Sequence, residues 1–119
     1  SAASDVYKRQ DLVQSNIVNT PLVAGSDGKV FRAALENDWL PTLEAHQPDI
    51  VFISAGFDAH VDDPLADLRL VEDDYRWVTQ FIVSIANQYA QGRVVSTLEG
   101  GYDLDALARS VTAHLEALA

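Results

Sequence analysis

Two short stretches of this 119-residue chain are chemically loaded loops that follow predicted strands. One is SAGFDAHVDDPL, Ser54–Leu65; the other is LEGGYD, Leu98–Asp103. Asp58 follows an apolar run. A carboxylate at a buried strand end needs a partner, because an isolated ion is costly to desolvate. A metal ion is one such partner, and the backbone N–H groups of an Asp-capped loop are the other. The pattern alone leaves both open. His60 lies two residues on, and in extended chain such residues share a face, so Asp58-x-His60 has the look of a metal pair. Two ligands do not complete a zinc site, which takes three or four, and His60 is equally placed for solvent or for a bond within the loop. Asp62 and Asp63 read as loop-formers. Tyr102 brings a phenol onto a turn after Gly100-Gly101. It can donate to a developing oxyanion or pack its ring on the loop. Glu99 at the strand end is either buried and hydrogen-bonded or an ordinary loop acid. The glycines permit close backbone approach, but neither phosphate-loop pattern is present.

The elements that must hold these loops can be read from periodicity. Asn16–Leu22 (NIVNTPL) is a β-branched run ended by Pro21 and predicts a strand. Ala24–Gly28 is a turn with Ser26 or Asp27 as helix N-cap. From Lys29 to about Gln47 the residues Val30, Phe31, Ala34, Leu35, Trp39, Leu40 and Leu43 recur at helical spacing. Pro41 should kink or divide that helix, and Pro48 ends it. Asp49–Gly56 (DIVFISAG) is the strongest strand signal, apolar enough for a strand covered on both faces. Phe57–Leu70 is a long loop. Glu72–Tyr89 is an amphipathic helix with Tyr75, Val78, Phe81, Ile82, Ile85 and Tyr89 on one side. Its opening acids suit a helix N-terminus and Gly92 its stop. Arg93–Leu98 is a strand. Asp103 is the expected N-cap of a last helix whose stripe is Leu104, Leu107, Val111, Leu115 and Leu118. His46 and His114 fall on helices and are expected to be partly exposed. The order β–α–β–α–β–α implies α/β with a parallel sheet and right-handed crossovers. Ligands of such sheets gather at the carboxyl ends of the strands, so Asp58 and Tyr102 are expected to face one cleft.

Composition narrows the function classes. Apolar residues make up 48% and charged residues 22%, an ordinary globular profile of one domain at most. Eighteen acids against eight bases give a net charge of −10, which argues against a nucleic-acid partner. No apolar run approaches the roughly 20 residues of a membrane span, so no membrane role is expected. The absence of cysteine excludes a disulfide scaffold, thiolate zinc and a cysteine nucleophile, and fits a reducing, cytoplasmic compartment. Ser1–Gln10 (SAASDVYKRQ) has no period and no signal-peptide core. It resembles translated adaptor sequence and is expected to be a non-native tail, the alternative being an ordinary disordered terminus.

Pro48–Leu65 (PDIVFISAGFDAHVDDPL) and Leu98–Leu104 (LEGGYDL) together resemble the histone deacetylase superfamily. Within it they are most like the bacterial class II-like branch, with its acetylpolyamine amidohydrolases and acetoin-utilisation proteins. NIVNTPL followed by AGSDG also matches, so the likeness runs from about Asn16 to Leu118. The resemblance implies an arginase-like three-layer α/β/α fold around a parallel sheet, of which residues 11–119 are the carboxy-terminal third. It implies one catalytic Zn²⁺ held by two aspartates and a histidine, with Asp58 matching the last ligand in sequence. Tyr102 matches the tyrosine that hydrogen-bonds the acetyl carbonyl and its tetrahedral intermediate. Gly100 and Gly101 match glycines lining the acetyl-lysine tunnel, and Leu65 an apolar residue at its rim. His60 is demoted, since the family uses no ligand there. Val71 stands where a Thr is usual, so that helix cap should be weaker.

The implied reaction is zinc-assisted hydrolysis of an N-acetylated amine, acetyl-lysine in protein or an acetylpolyamine. The family's Asp-x-His zinc pair and its paired histidines, one of them the general base, belong to upstream loops that have no match here. Residues 1–119 alone are therefore expected to be inactive and to expose a sheet edge. The alternative from another class is a noncatalytic α/β interaction module. An arginase-like dimetal ureohydrolase is weaker, because it wants clustered bridging aspartates and the EGGY loop argues against it.

Overall fold

The computed structural model describes residues 17–119. The segment Ser1–Gln10, expected to be a foreign tail, lies outside the described residues, as does Asn16. The first helix, α1 (Gly28–Ala34), is capped by Asp27, whose side chain accepts the Val30 N–H at 3.2 Å. It continues through a π-wound turn, Leu35–Trp39, into α2 (Leu40–His46). Pro41 explains that turn. Its ring and missing N–H are incompatible with a regular ladder. The Leu40 N–H instead bonds the Leu35 carbonyl, and the register slips by one residue just before the proline. The division expected at Pro41 takes this form.

The remaining elements are β1 (Val51–Ala55), α3 (Glu72–Tyr89), β2 (Val94–Leu98) and α4 (Leu104–Leu118). The two strands pair in parallel, with Val51 opposite Val94 and Ala55 opposite Leu98. The strand expected over Asn16–Leu22 is not formed by its described part. Pro21 supplies no ladder donor, and side chains hold the segment against the π turn. Thr20 accepts the Trp39 indole N–H at 3.1 Å and donates to Asp38 at 3.2 Å. Nor is β1 covered on both faces. Its burial alternates, and Phe52 is 72% exposed because no described element packs over that face.

The core joins sheet, loop and helix: Ala55, Phe57, Leu70 and Tyr75 are buried together, with Phe31, Ile53, Leu107 and Val111 against them. α3 buries Tyr75 and Ile85 of the face that periodicity picks out and half-buries Val78, Phe81, Ile82 and Tyr89, while Thr79 and Ala86 are its innermost residues. α4 does not. Leu104 and Leu115 are exposed, while Ala106, Ser110, Ala113 and His114 are buried. Small residues at three of those positions let α4 approach α3 closely, where Ala86 has no exposed surface. The buried face is thus turned by about one residue from the leucine stripe. His114 goes inside with it, contrary to the expected partial exposure. Its Nδ1 lies 2.7 Å from Thr79 Oγ1 and its Nε2 2.8 Å from Ser96 Oγ. His46 is exposed. Among the described residues no helix is long and apolar enough to cross a membrane.

Candidate active site

Parallel pairing in register puts the loops after β1 and β2 side by side, and two bonds extend the ladder into them. The Glu99 N–H donates to Ala55 O at 2.9 Å, and the Phe57 N–H to Gly100 O at 2.8 Å. Asp58 therefore lies directly against Gly100. A Cβ on Gly100 would stand 3.0 Å from the Asp58 Cγ and Oδ2, and one on Gly56 would stand 3.2 Å from its Oδ1. The carboxylate occupies a cradle that two glycines leave open. Asp58 is half-buried, and among the described residues no donor engages its carboxylate. Of the two partners the sequence left open for Asp58, backbone capping is thus not the one adopted.

Tyr102 stands two residues beyond Gly100 and is 56% exposed. Gly101 between them has φ +142°, a conformation glycine alone adopts readily, and a Cβ there would meet Leu107 Cδ1 at 2.7 Å. The turn ends at Asp103, which caps α4 by accepting the Ala106 N–H at 2.8 Å. Leu65 is exposed on the first loop. Asp58, Gly100, Gly101 and Tyr102 thus share the carboxyl edge of the sheet.

The first loop is held by backbone bonds, Leu70 N–H to Ala59 O at 3.1 Å and Val61 N–H to Leu70 O at 2.8 Å. His60 is buried in it. Its Nδ1 accepts the Asp62 N–H at 3.0 Å, and its buried Nε2 lies 3.4 Å from Glu72 Oε2, within ion-pair reach but without a hydrogen bond. Arg109 closes the knot on Glu72 and on Asp62 at 3.2 Å. The Arg109 guanidinium, above all, holds the Glu72 carboxyl down at about 2. Of the roles left open for His60, the bond within the loop is the one adopted, and among the described residues no three His, Asp or Glu side chains converge as a metal-binding group.

Asp63 is the residue that sequence reasoning undervalued. It is buried, and its carboxylate accepts the N–H groups of Leu65 at 2.8 Å, Tyr102 at 2.7 Å and Asp103 at 3.4 Å. Burial pushes its carboxyl upward, but these bonds and the nearby His60 outweigh it and leave it below the usual range. The Asp-Pro pair signals a turn, not a bond 39 residues away. Tyr75 lies beneath the loop. Burial, with the charges of Asp58, Asp63 and Asp74, raises its hydroxyl above the usual phenol range. A cavity of about 460 Å³ opens behind β1, lined by Phe31, Trp39, Ile53, Phe57 and Tyr75, and neither Asp58 nor Tyr102 reaches it.

Residues 4–118 match the family model described as the histone deacetylase domain. The chain belongs to the histone deacetylase family. It is 43% identical over 117 residues to the type-2 histone deacetylase 2 of Dictyostelium discoideum, covering 96% of this chain and 7% of that protein. It is 36% identical over 85 residues to a histone deacetylase-like amidohydrolase of Pseudomonas aeruginosa, covering 71% of this chain and 22% of that one. The solved HD domain of HDA15 superposes with a TM-score of 0.77 at 34% identity, covering 85% of this chain and 28% of that one. The parallel βαβ arrangement thus belongs to the α/β, arginase-like fold of deacetylase domains. The chain spans less than a third of the length of each of these proteins.

Proposed function

We propose that the chain is the carboxy-terminal part of a zinc-dependent amidohydrolase domain that removes acetyl groups from N-acetylated amines, either acetyl-lysine or an acetylpolyamine. One observation carries the reading: a carboxylate with no hydrogen-bond donor among the described residues lies in a cradle between two glycines, at the sheet edge that also bears an exposed tyrosine. A hard oxygen donor kept free of hydrogen bonds suits a cation. The fit is to one ligand, Asp58. His60 is buried within its loop with Nδ1 taken by the Asp62 N–H, so the other ligands would come from loops elsewhere in the domain.

When bound, zinc supplies a Lewis acid for the acetyl carbonyl and for water. Asp58 holds its place with both flanks confined by glycine. Gly100 and Gly101 present backbone without side chains, so an extended acyl-amine can run close beside them. Leu65 offers an apolar edge at the entrance. The Tyr102 hydroxyl donates a hydrogen bond to the carbonyl oxygen as it gains charge. The proton-accepting base is a residue of the rest of the domain, so residues 1–119 by themselves turn over no substrate.

The test uses the complete zinc-loaded domain with an acetyl-lysine peptide and an N-acetylpolyamine as alternative substrates. Turnover of either one supports the reading and names the substrate. Tyr102→Phe should lower kcat by about 10²–10³-fold, as loss of an oxyanion donor does. Undiminished turnover in that variant, or wild-type inertness to both substrates, refutes it.

A further inference from the structure

Among the described residues, Tyr102 is anchored by hydrogen bonds at its backbone only. Two glycines precede it, Gly101 in a conformation open to glycine, and its ring is more than half exposed. Among the described residues no hydrogen bond or ring contact holds its side chain. A phenol on such a turn would sweep a wide arc. What limits it is the Asp63 carboxylate, whose Oδ2 takes the Tyr102 N–H at 2.7 Å and the Asp103 N–H at 3.4 Å. Oδ1 of the same carboxylate takes the Leu65 N–H at 2.8 Å. One buried anion thus ties the β2 loop to the β1 loop, and through Asp103 to the start of α4. The bonds to Leu65 and Tyr102 are charge-assisted and short, hence strong, so the clamp is stiff at Tyr102.

The geometry points to Asp63 as the positioning residue of Tyr102: it fixes the Tyr102 backbone, the root from which the phenol reaches, on the loop beside Asp58, without touching substrate. This rests on the amidohydrolase reading for its kinetic consequence, and on the coordinates alone for its structural one. Asp63→Asn keeps the volume but turns one acceptor into a donor, which then faces either the Leu65 N–H or the Tyr102 and Asp103 N–H groups. Displacement of a reacting group by about 1 Å costs about 10²-fold in rate.

The experiment makes Asp63→Asn, Tyr102→Phe and the double variant in the complete zinc-loaded domain. Asp63→Asn is expected to lower kcat by about 10²-fold with KM little changed, and to add no further loss in the Tyr102→Phe background. In the folded Asp63→Asn protein the Tyr102 amide should lose hydrogen-exchange protection by about tenfold or more, amides of β1 and β2 keeping theirs. Multiplying rate losses, or an unaltered Tyr102 amide, overturns the inference and leaves the amidohydrolase reading standing. A wild type inert toward acetylated amines sinks that reading instead, and the exchange measurement still decides the role of Asp63. If Asp63→Asn does not fold, Asp63→Glu, which keeps the charge and shifts the oxygens, carries the same readouts.

Discussion

Gly100→Ala isolates the cradle around Asp58. Gly100 is not among the residues at positive φ, so alanine fits its backbone. Taken alone, such a replacement stabilises a fold by about 0.4–1 kcal/mol through the unfolded chain. The added Cβ, however, would stand 3.0 Å from Asp58 Oδ2, where ordinary contact begins at 3.4 Å. The carboxylate must retreat by the difference, 3.4 − 3.0, or about 0.4 Å. Metal–oxygen distances tolerate roughly 0.2 Å. Zinc affinity of the complete domain should therefore fall by about 10–100-fold, as when a ligand loses its supporting contacts, with the urea midpoint unchanged or raised. Competition against a chromophoric chelator reads the affinity. Gly101→Ala is the contrasting variant: φ +142° and the 2.7 Å approach to Leu107 should lower the midpoint. Wild-type zinc affinity in Gly100→Ala would refute the assignment of Asp58 to the metal.

Buried His114 and partly exposed Glu72 each make stability depend on pH. Burial lowers the His114 pKa below its ordinary 6.5. The unfolded chain then takes up that proton first, so the stability due to neutral His114 is complete above about 6.5 and is lost as pH falls through the lower folded value. Urea unfolding at stepped pH should show this slope, and His114→Gln should flatten it. Glu72 is held at about 2 from an ordinary 4.5, so its contribution is present above 4.5 and lost as pH falls toward 2; Arg109→Leu should remove that acid-phase loss in the same titration.

Local signals were legible wherever a residue's own chemistry decides its conformation. Asp27 and Asp103 cap the helices they precede, Pro41 disrupts its helix, and the 72–89 helix has the expected bounds. The β–α alternation was enough to put the loops that carry Asp58 and Tyr102 at one sheet edge. Choices made by packing were not legible. The leucines of α4 are larger than its alanines, so periodicity favours them, yet close approach to α3 selects Ala106, Ser110 and Ala113. His114 is carried inside by that rotation. Ile17–Leu22 has β-branched composition, but a strand exists only where a partner accepts its bonds, and side-chain bonds to Trp39 and Asp38 take it elsewhere. Asp63 and Tyr102 are separated by 39 residues, a distance over which no local pattern speaks.

The proposal that Asp58 is a metal ligand, in a crevice shared with Tyr102, is decided by a crystal structure of the complete domain with zinc, using data collected on both sides of the zinc absorption edge. An anomalous peak is expected about 2.0–2.2 Å from an Asp58 oxygen, with the Tyr102 hydroxyl facing the same crevice. A zinc peak held by other side chains, with Asp58 outside its coordination, would contradict it.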